Sequence, residues 1–348
     1  MIPYLRERFS SLTPYHSPYL TEGVILNSNE SPYSVPQELI AYMKERVGDL
    51  LVNRYPDTDS VELAHAVAKA YQLKIENIVC GVGSDELIDC ILGSTLEEHD
   101  KVLMPYPSFS MYGQFTQLNS GTLIKVPLHK DFTYDIEAIK EAVCKEQPKV
   151  IFLCNPNNPT GCSFTREEIK SILEVAEGLV VVDEAYAEFS EQEISMIPFV
   201  NEYSNLIVLK TFSKAYALAG VRLGYGIACE QIINLINTVR PPYNVNIFSQ
   251  AIGTWAIEHR EFFIENAKRI VDNRKTLEKG LKKLGLMPYP SDANFVWLTL
   301  PDGIFEALEE RKIYIRKIKV DDRVYYRINA GTPEENDKLL EALEILLK

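Results

Sequence analysis

Between about residues 75 and 230, short apolar runs alternate with stretches of helical periodicity. Seven runs have strand length: Asn77–Gly83, Lys101–Pro105, Thr122–Val126, Val150–Cys154, Leu179–Asp183, Leu206–Lys210 and Gly224–Cys229. Most lack polar alternation, the pattern of strands covered on both faces. Helical patterns intervene, Glu86 to Leu92 after the first run and Arg166 to Glu177 after the fourth. This order predicts an α/β domain on a seven-stranded, mostly parallel sheet.

Beyond Pro241-Pro242 the pattern changes. Ser249 to Leu284 predicts one long or broken helical region with a charged face. Asn294–Leu298, Ile313–Arg316 and Val324–Ile328 predict strands of a smaller sheet, and Glu334–Lys348 a closing amphipathic helix. The acidic pair Glu334-Glu335 suits the first turn of that helix, where the dipole favours negative charge. The segment before about residue 25, with Pro3, Pro14, Pro18 and the tyrosines Tyr4, Tyr15 and Tyr19, reads as an irregular arm. The expected organisation is an arm (1–28), a large domain (29–245) and a small α+β domain (246–348).

Composition narrows the class. A chain of 348 residues suits two packed domains, and 46% hydrophobic with 24% charged residues is ordinary for a globular protein. The longest apolar stretches fall far short of the roughly 20 residues that span a bilayer. Met1 to Ser10 mixes Arg6, Glu7 and Arg8 with no apolar core, so no secretory signal is expected. Six scattered cysteines without a C-x-x-C pair fit a reducing cytoplasm better than a disulfide framework or a zinc site. His16, His65, His99, His129 and His259 show no metal-ligand spacing either. The net charge of −13 argues against nucleic acid or an anionic membrane as partner. It places no limit on a small anionic ligand, which needs only a few local cations.

In an open α/β sheet, ligands bind beyond the carboxyl ends of the strands. Polar residues cluster there. Gly81-Val82-Gly83-Ser84-Asp85-Glu86 follows the first run, and two glycines leading into a helix make an anion site from free N–H groups. Taken alone, a Ser or Asp N-cap with nothing bound is the better reading of that turn. Asn155-Pro156-Asn157-Asn158-Pro159-Thr160-Gly161 follows the fourth run and makes a rigid loop bearing amide side chains. Asp183, then Glu184, Ala185 and Tyr186, follows the fifth. Such a carboxylate either caps what comes next or holds a protonated ring nitrogen. Thr211-Phe212-Ser213-Lys214 follows the sixth, with Arg222 further on. Hydroxyls with a guanidinium suit a phosphate, and a lysine beside them can condense with an aldehyde.

With these motifs in this order, the chain resembles a fold-type I pyridoxal-phosphate-dependent aminotransferase from Leu26-Asn27-Ser28-Asn29-Glu30 to Arg327-Ile328-Asn329-Ala330-Gly331. Within that superfamily it most resembles the histidinol-phosphate aminotransferase family, through Asn53-Arg54-Tyr55-Pro56, Asn155 to Gly161, Asp183 to Tyr186 and Thr211 to Gly224. Threonine-phosphate decarboxylases and some aromatic aminotransferases carry similar strings. The resemblance implies that Lys214 holds the cofactor as a Schiff base and moves the substrate proton. It implies that Asp183 pairs with the ring nitrogen, and that Asn158 and Tyr186 bond the phenolic oxygen. The phosphate falls to Ser84, Asp85, Ser213 and Arg222, with help from Thr211. Phe109 stacks on the ring, where many relatives have tyrosine. Tyr55 reaches the cofactor of a second subunit, making a homodimer with shared sites. Arg327 and Arg316, with Asn158 nearby, take the substrate anion, since a guanidinium fork suits carboxylate and phosphate alike. Burial and Arg222 are expected to depress the Lys214 pKa.

The implied reaction is ping-pong transfer of the amino group between histidinol phosphate and 2-oxoglutarate, giving imidazole-acetol phosphate and glutamate. Its rivals are decarboxylation of threonine phosphate and transamination of aromatic amino acids, and the arm tyrosines with Tyr33 are candidates to line a ring pocket. A non-catalytic pyridoxal-phosphate-binding protein would lack the lysine, the aspartate or the substrate arginine, and all are present.

Overall fold

A computed structural model describes residue 9 and residues 19–348. In chain order the strands are β1 (Val24–Leu26), β2 (Ile78–Gly81), β3 (Lys101–Tyr106), β4 (Thr122–Pro127), β5 (Val150–Cys154), β6 (Leu179–Asp183), β7 (Leu206–Thr211), β8 (Gly224–Ala228), β9 (Phe295–Leu298), β10 (Ile313–Val320) and β11 (Arg323–Asn329). The seven runs anticipated for the large sheet are all strands, in the order β2-β8-β7-β6-β5-β3-β4. Only β8 runs against its neighbours, so the carboxyl ends of the other six share one edge with the start of β8.

Alternate residues of the central strands feed two cores. Val102, Phe152, Val181 and Ile207 pack under helices Gly83–Thr95, Ser110–Leu118 and Glu230–Asn237. Leu103, Ile151, Val180 and Val208 face the opposite layer, which includes helices Val61–Tyr71, Ile136–Glu146 and Ile247–Glu258. Apolar residues on both faces are the physical reason these strands read as continuous runs.

The small sheet has the order β1-β10-β11-β9. One face, with Ile315, Ile328, Val296 and Leu298, packs on helices Arg260–Lys283 and Pro333–Leu346. That last helix starts with a capping box between Thr332 and Glu335, so Glu335 closes the helix end as well as meeting its dipole. The Ser249–Leu284 region is broken in two, Ile247–Glu258 and Arg260–Lys283, while the helix from Arg166 stops at Leu173, short of Glu177.

One expectation needs correction. Val24–Leu26, taken as the end of an irregular arm, is a strand that pairs in parallel with Ile313–Ile315. Its short run is apolar enough to bury Val24 and Leu26 in the small core, but only the partner strand makes it a strand. Among the described residues, no helix is long and apolar enough to cross a membrane.

Candidate active site

The carboxyl edge of the large sheet and one face of the small sheet enclose a cleft of about 1210 Å³. Lys214 enters it from the turn after β7, half-buried and donating from Nζ to Ser28 O at 3.0 Å. Burial is the main cause that lowers its pKa to about 8. The Arg327 guanidinium is next, and Arg222, the cation expected to matter, contributes less. The ring of Tyr186 lies 5.8 Å from the Lys214 nitrogen.

Asp183, at the end of β6, is 3% exposed. Its Oδ1 accepts from Ala185 N at 3.1 Å and its Oδ2 from the Tyr112 hydroxyl at 2.7 Å. Burial raises its pKa to about 6, and the Tyr112 hydrogen bond is the largest force opposing that rise. Tyr112 is a residue the sequence reading missed. It is fully buried on helix Ser110–Leu118, stacked on Phe152 with ring centroids 4.4 Å apart and edge-on to Phe109. The signal was weak: a tyrosine one helical turn after Phe109 reads as core, and its partner is remote in sequence.

The turn after β2 forms the other end of the cleft. Helix Gly83–Thr95 has no side chain capping its first turn, so the expected Ser or Asp N-cap is absent. Glu86 folds back instead, accepting from Val82 N at 2.7 Å and from Asn244 Nδ2 at 2.6 Å. This fixes the turn while Gly83, Ser84 and Asp85 line the cleft. A Cβ on Gly224 would lie 2.7 Å from Ser84 N, and one on Gly83, at φ +73°, would lie 2.9 Å from Arg222 Nη2. Gly224 needs glycine for its close approach to backbone, and Gly83 for its left-handed φ. Arg222 donates to Ser213 Oγ at 3.3 Å and faces Asp85 at 3.5 Å, and Thr211 Oγ1 accepts from Ser213 N at 3.1 Å.

The Asn155–Gly161 loop is held by its own amides. Asn157 donates to Pro107 O and Thr160 Oγ1 and accepts from Ser108, while Asn155 Oδ1 takes Phe164 N. So held, the loop presents Asn158, whose Oδ1 accepts from Arg327 Nη1. Arg327 also donates to Asn27 O at 2.9 Å and lies over the Phe295 ring. Arg316 and Arg327 are direct cross-strand partners on β10 and β11. Residues so paired share a face with Cβ atoms about 5 Å apart, and like charges there repel unless an anion joins them. Both line the cleft.

The structure therefore brings together Ser84, Asp85, Phe109, Asn158, Asp183, Tyr186, Thr211, Ser213, Lys214, Arg222, Arg316 and Arg327. Tyr55 is apart from them in this chain, 79% exposed and stacked on Tyr243. Tyr19 is 94% exposed and Tyr33 is engaged by Asn273 and Arg269, and neither lines the cleft of this chain; Tyr4 and Tyr15 lie outside the described residues.

The profile of the family described as aminotransferase class I and II matches residues 21–343. The chain belongs to that family. The aminotransferase is 38% identical over 348 residues to a histidinol-phosphate aminotransferase of Ruminiclostridium cellulolyticum, covering 97% of each chain. It is 39% identical over 327 residues to histidinol-phosphate aminotransferase 2 of Archaeoglobus fulgidus, covering 92% of each. The crystal structure of histidinol-phosphate aminotransferase from Sinorhizobium meliloti in complex with pyridoxal-5'-phosphate matches with a TM-score of 0.92 at 24% identity, over 100% of this chain and 98% of that one. At that identity the likeness is one of fold.

The aminotransferase cleft fits the expected cofactor at each of its chemical groups. Uncapped N–H groups with Ser213 and Arg222 suit a phosphate, a buried carboxylate suits a ring nitrogen, and a lysine of depressed pKa suits an aldehyde. Tyr112→Phe would remove a charge-assisted hydrogen bond from Asp183. Cofactor affinity, measured by equilibrium titration of the apoenzyme, should fall about tenfold. Unchanged affinity would show that Tyr112 does not support Asp183.

Proposed function

We propose that this aminotransferase transfers the amino group of histidinol phosphate to 2-oxoglutarate, with pyridoxal 5'-phosphate as cofactor. The observation that supports the substrate best is the pair Arg316 and Arg327, cross-strand partners on β10 and β11 that both line the cleft, where two guanidinium forks suit a phosphate or carboxylate. The named relatives, alike over nearly their whole length, point the same way.

When bound, the cofactor supplies an aldehyde that captures an amino group and a ring that stores the electrons released at the substrate Cα. Asp183 keeps that ring protonated at nitrogen; with its own pKa near 6, it is ionised at neutral pH and pairs with the N–H. Ser84 and Asp85 through their N–H groups, with Ser213, Thr211 and Arg222, would anchor the phosphate, while Phe109 would pack on the ring and Asn158 and Tyr186 would hold its phenolic oxygen. Lys214 Nζ would take the proton from the substrate Cα. Arg327, with Arg316 and Asn158, fixes the anionic end of each substrate in turn, carboxylate in glutamate and phosphate in histidinol phosphate.

Only the neutral amine of Lys214 reacts. The rate at which apoenzyme captures pyridoxal phosphate should therefore rise with pH and reach half its maximum near 8. A rate that is flat from pH 6 to 9 in stopped-flow absorbance would contradict this.

The active unit is a homodimer in the cytoplasm, in which Tyr55 of one copy completes the phosphate site of the other. Leu51, Val52, Tyr55 and Tyr243 are exposed hydrophobic residues in keeping with such a contact. The domain division is the arm to residue 28, the cofactor domain to 245 and the small domain beyond.

Single-turnover half-reactions test the substrate. Histidinol phosphate and glutamate should each convert the loaded enzyme rapidly to its aminated form, with phenylalanine slow. Rapid reaction with phenylalanine instead would make this an aromatic aminotransferase, and carbon dioxide from threonine phosphate would make it a decarboxylase.

A further inference from the structure

Three consecutive residues after β1 each engage a different member of the site. Asn27 O accepts from Arg327, Ser28 O accepts from Lys214, and Asn29 Nδ2 donates to the Tyr186 hydroxyl at 3.0 Å. The segment is fixed from the small domain. Asn29 N donates to Asn329 Oδ1 at 3.1 Å, and Asn294 Nδ2 donates to Asn29 O at 3.2 Å. Asn29 is 1% exposed and holds φ +55°, a left-handed conformation that asparagine tolerates better than most residues.

The direction of the Asn29–Tyr186 bond carries the argument. An amide nitrogen donates and does not accept, so the Tyr186 oxygen is the acceptor and its one proton points elsewhere. Burial holds the Tyr186 pKa above its ordinary value, so the proton stays on at working pH. Asn29 Oδ1 is buried without a hydrogen-bond partner. Turning the amide over would replace that single orphan acceptor with an orphan NH₂ carrying two donors, a costlier burial.

We propose that Asn29 is a positioning residue that turns the Tyr186 hydroxyl proton into the cleft, where Tyr186 donates it to the phenolic oxygen of the cofactor. The inference rests on the pyridoxal-phosphate reading above. A bond donated to that oxygen favours its anionic form. It therefore lowers the pH midpoint at which the visible absorbance of the lysine-bound cofactor changes. Without Asn29 the hydroxyl is free to rotate, and the benefit is partly lost.

Absorbance–pH titration of the loaded enzyme tests this. Asn29→Gly is the first variant, because glycine adopts φ +55° without strain and only the amide is deleted. Tyr186→Phe should raise the midpoint by about one pH unit, the worth of one hydrogen bond to a charged group. Asn29→Gly should raise it by a part of that, and in the Tyr186→Phe background it should add nothing. Asn29→Asp, which can only accept from Tyr186, should raise the midpoint at least as far as Asn29→Gly. A wild-type midpoint in Asn29→Gly, or an equal shift with and without the Tyr186 hydroxyl, would overturn the proposal. Loss of the native circular dichroism in both Asn29 variants would assign the residue to the scaffold and overturn it too. If wild-type protein mixed with pyridoxal phosphate shows no visible band, it is the cofactor reading that has failed, whatever the Asn29 variants do.

Discussion

Replacing Lys214 with alanine should lower turnover by at least about 10⁴-fold while leaving the cofactor bound. Proton transfer by a placed base is worth about 10²–10⁴ by itself, and the same nitrogen is also the nucleophile that holds the aldehyde. The residues that hold the phosphate lie elsewhere: Ser213 and Arg222 bond each other, and the first turn of helix Gly83–Thr95 is set by Glu86 and Asn244. The variant should thus retain cofactor on gel filtration yet lose the visible band of the lysine-bound form. Turnover near the wild-type rate in a coupled assay would remove Lys214 from the mechanism.

Arg327→Ala should reduce kcat/KM for histidinol phosphate and for 2-oxoglutarate together, each by about 10²-fold. A hydrogen bond to a charged group contributes about 1.5–3 kcal/mol, and a guanidinium fork offers two. Its burial and its contacts with Asn27 O and Asn158 hold the fork ready. A second effect follows from the same charge. Arg327 is the largest cause after burial of the low Lys214 pKa, so removing it should move the cofactor-capture profile to higher pH. Arg327→Lys should recover that electrostatic effect but little of the substrate binding, since an ammonium lacks the planar fork. Loss of only one substrate would show that phosphate and carboxylate use separate sites.

Much of the site was legible because its residues follow strands that announce themselves. Asp183, Lys214 and Asn158 each stand just beyond an apolar run, and a run's end is a local property of the chain. Phe109 was legible only through the family resemblance, and Tyr112, one helical turn on, was not read at all. A buried tyrosine and a catalytic support look alike until Asp183 is found 2.7 Å away. The strand order also escaped the sequence, including the reversal of β8 that sets Arg222 beside Gly83 and Ser213.

By itself, the sequence determined the mostly parallel α/β core, the polar clusters at its strand ends and the change of pattern into a second sheet. Those follow from side-chain periodicity, which each segment carries alone. Tertiary structure decided what periodicity cannot encode. It paired Val24–Leu26 with β10, aligned Arg316 with Arg327, gave Tyr112 to Asp183 and laid Asn27–Asn29 across Arg327, Lys214 and Tyr186. Each of these depends on register between segments far apart in the chain, and register is set by the packing of the whole fold.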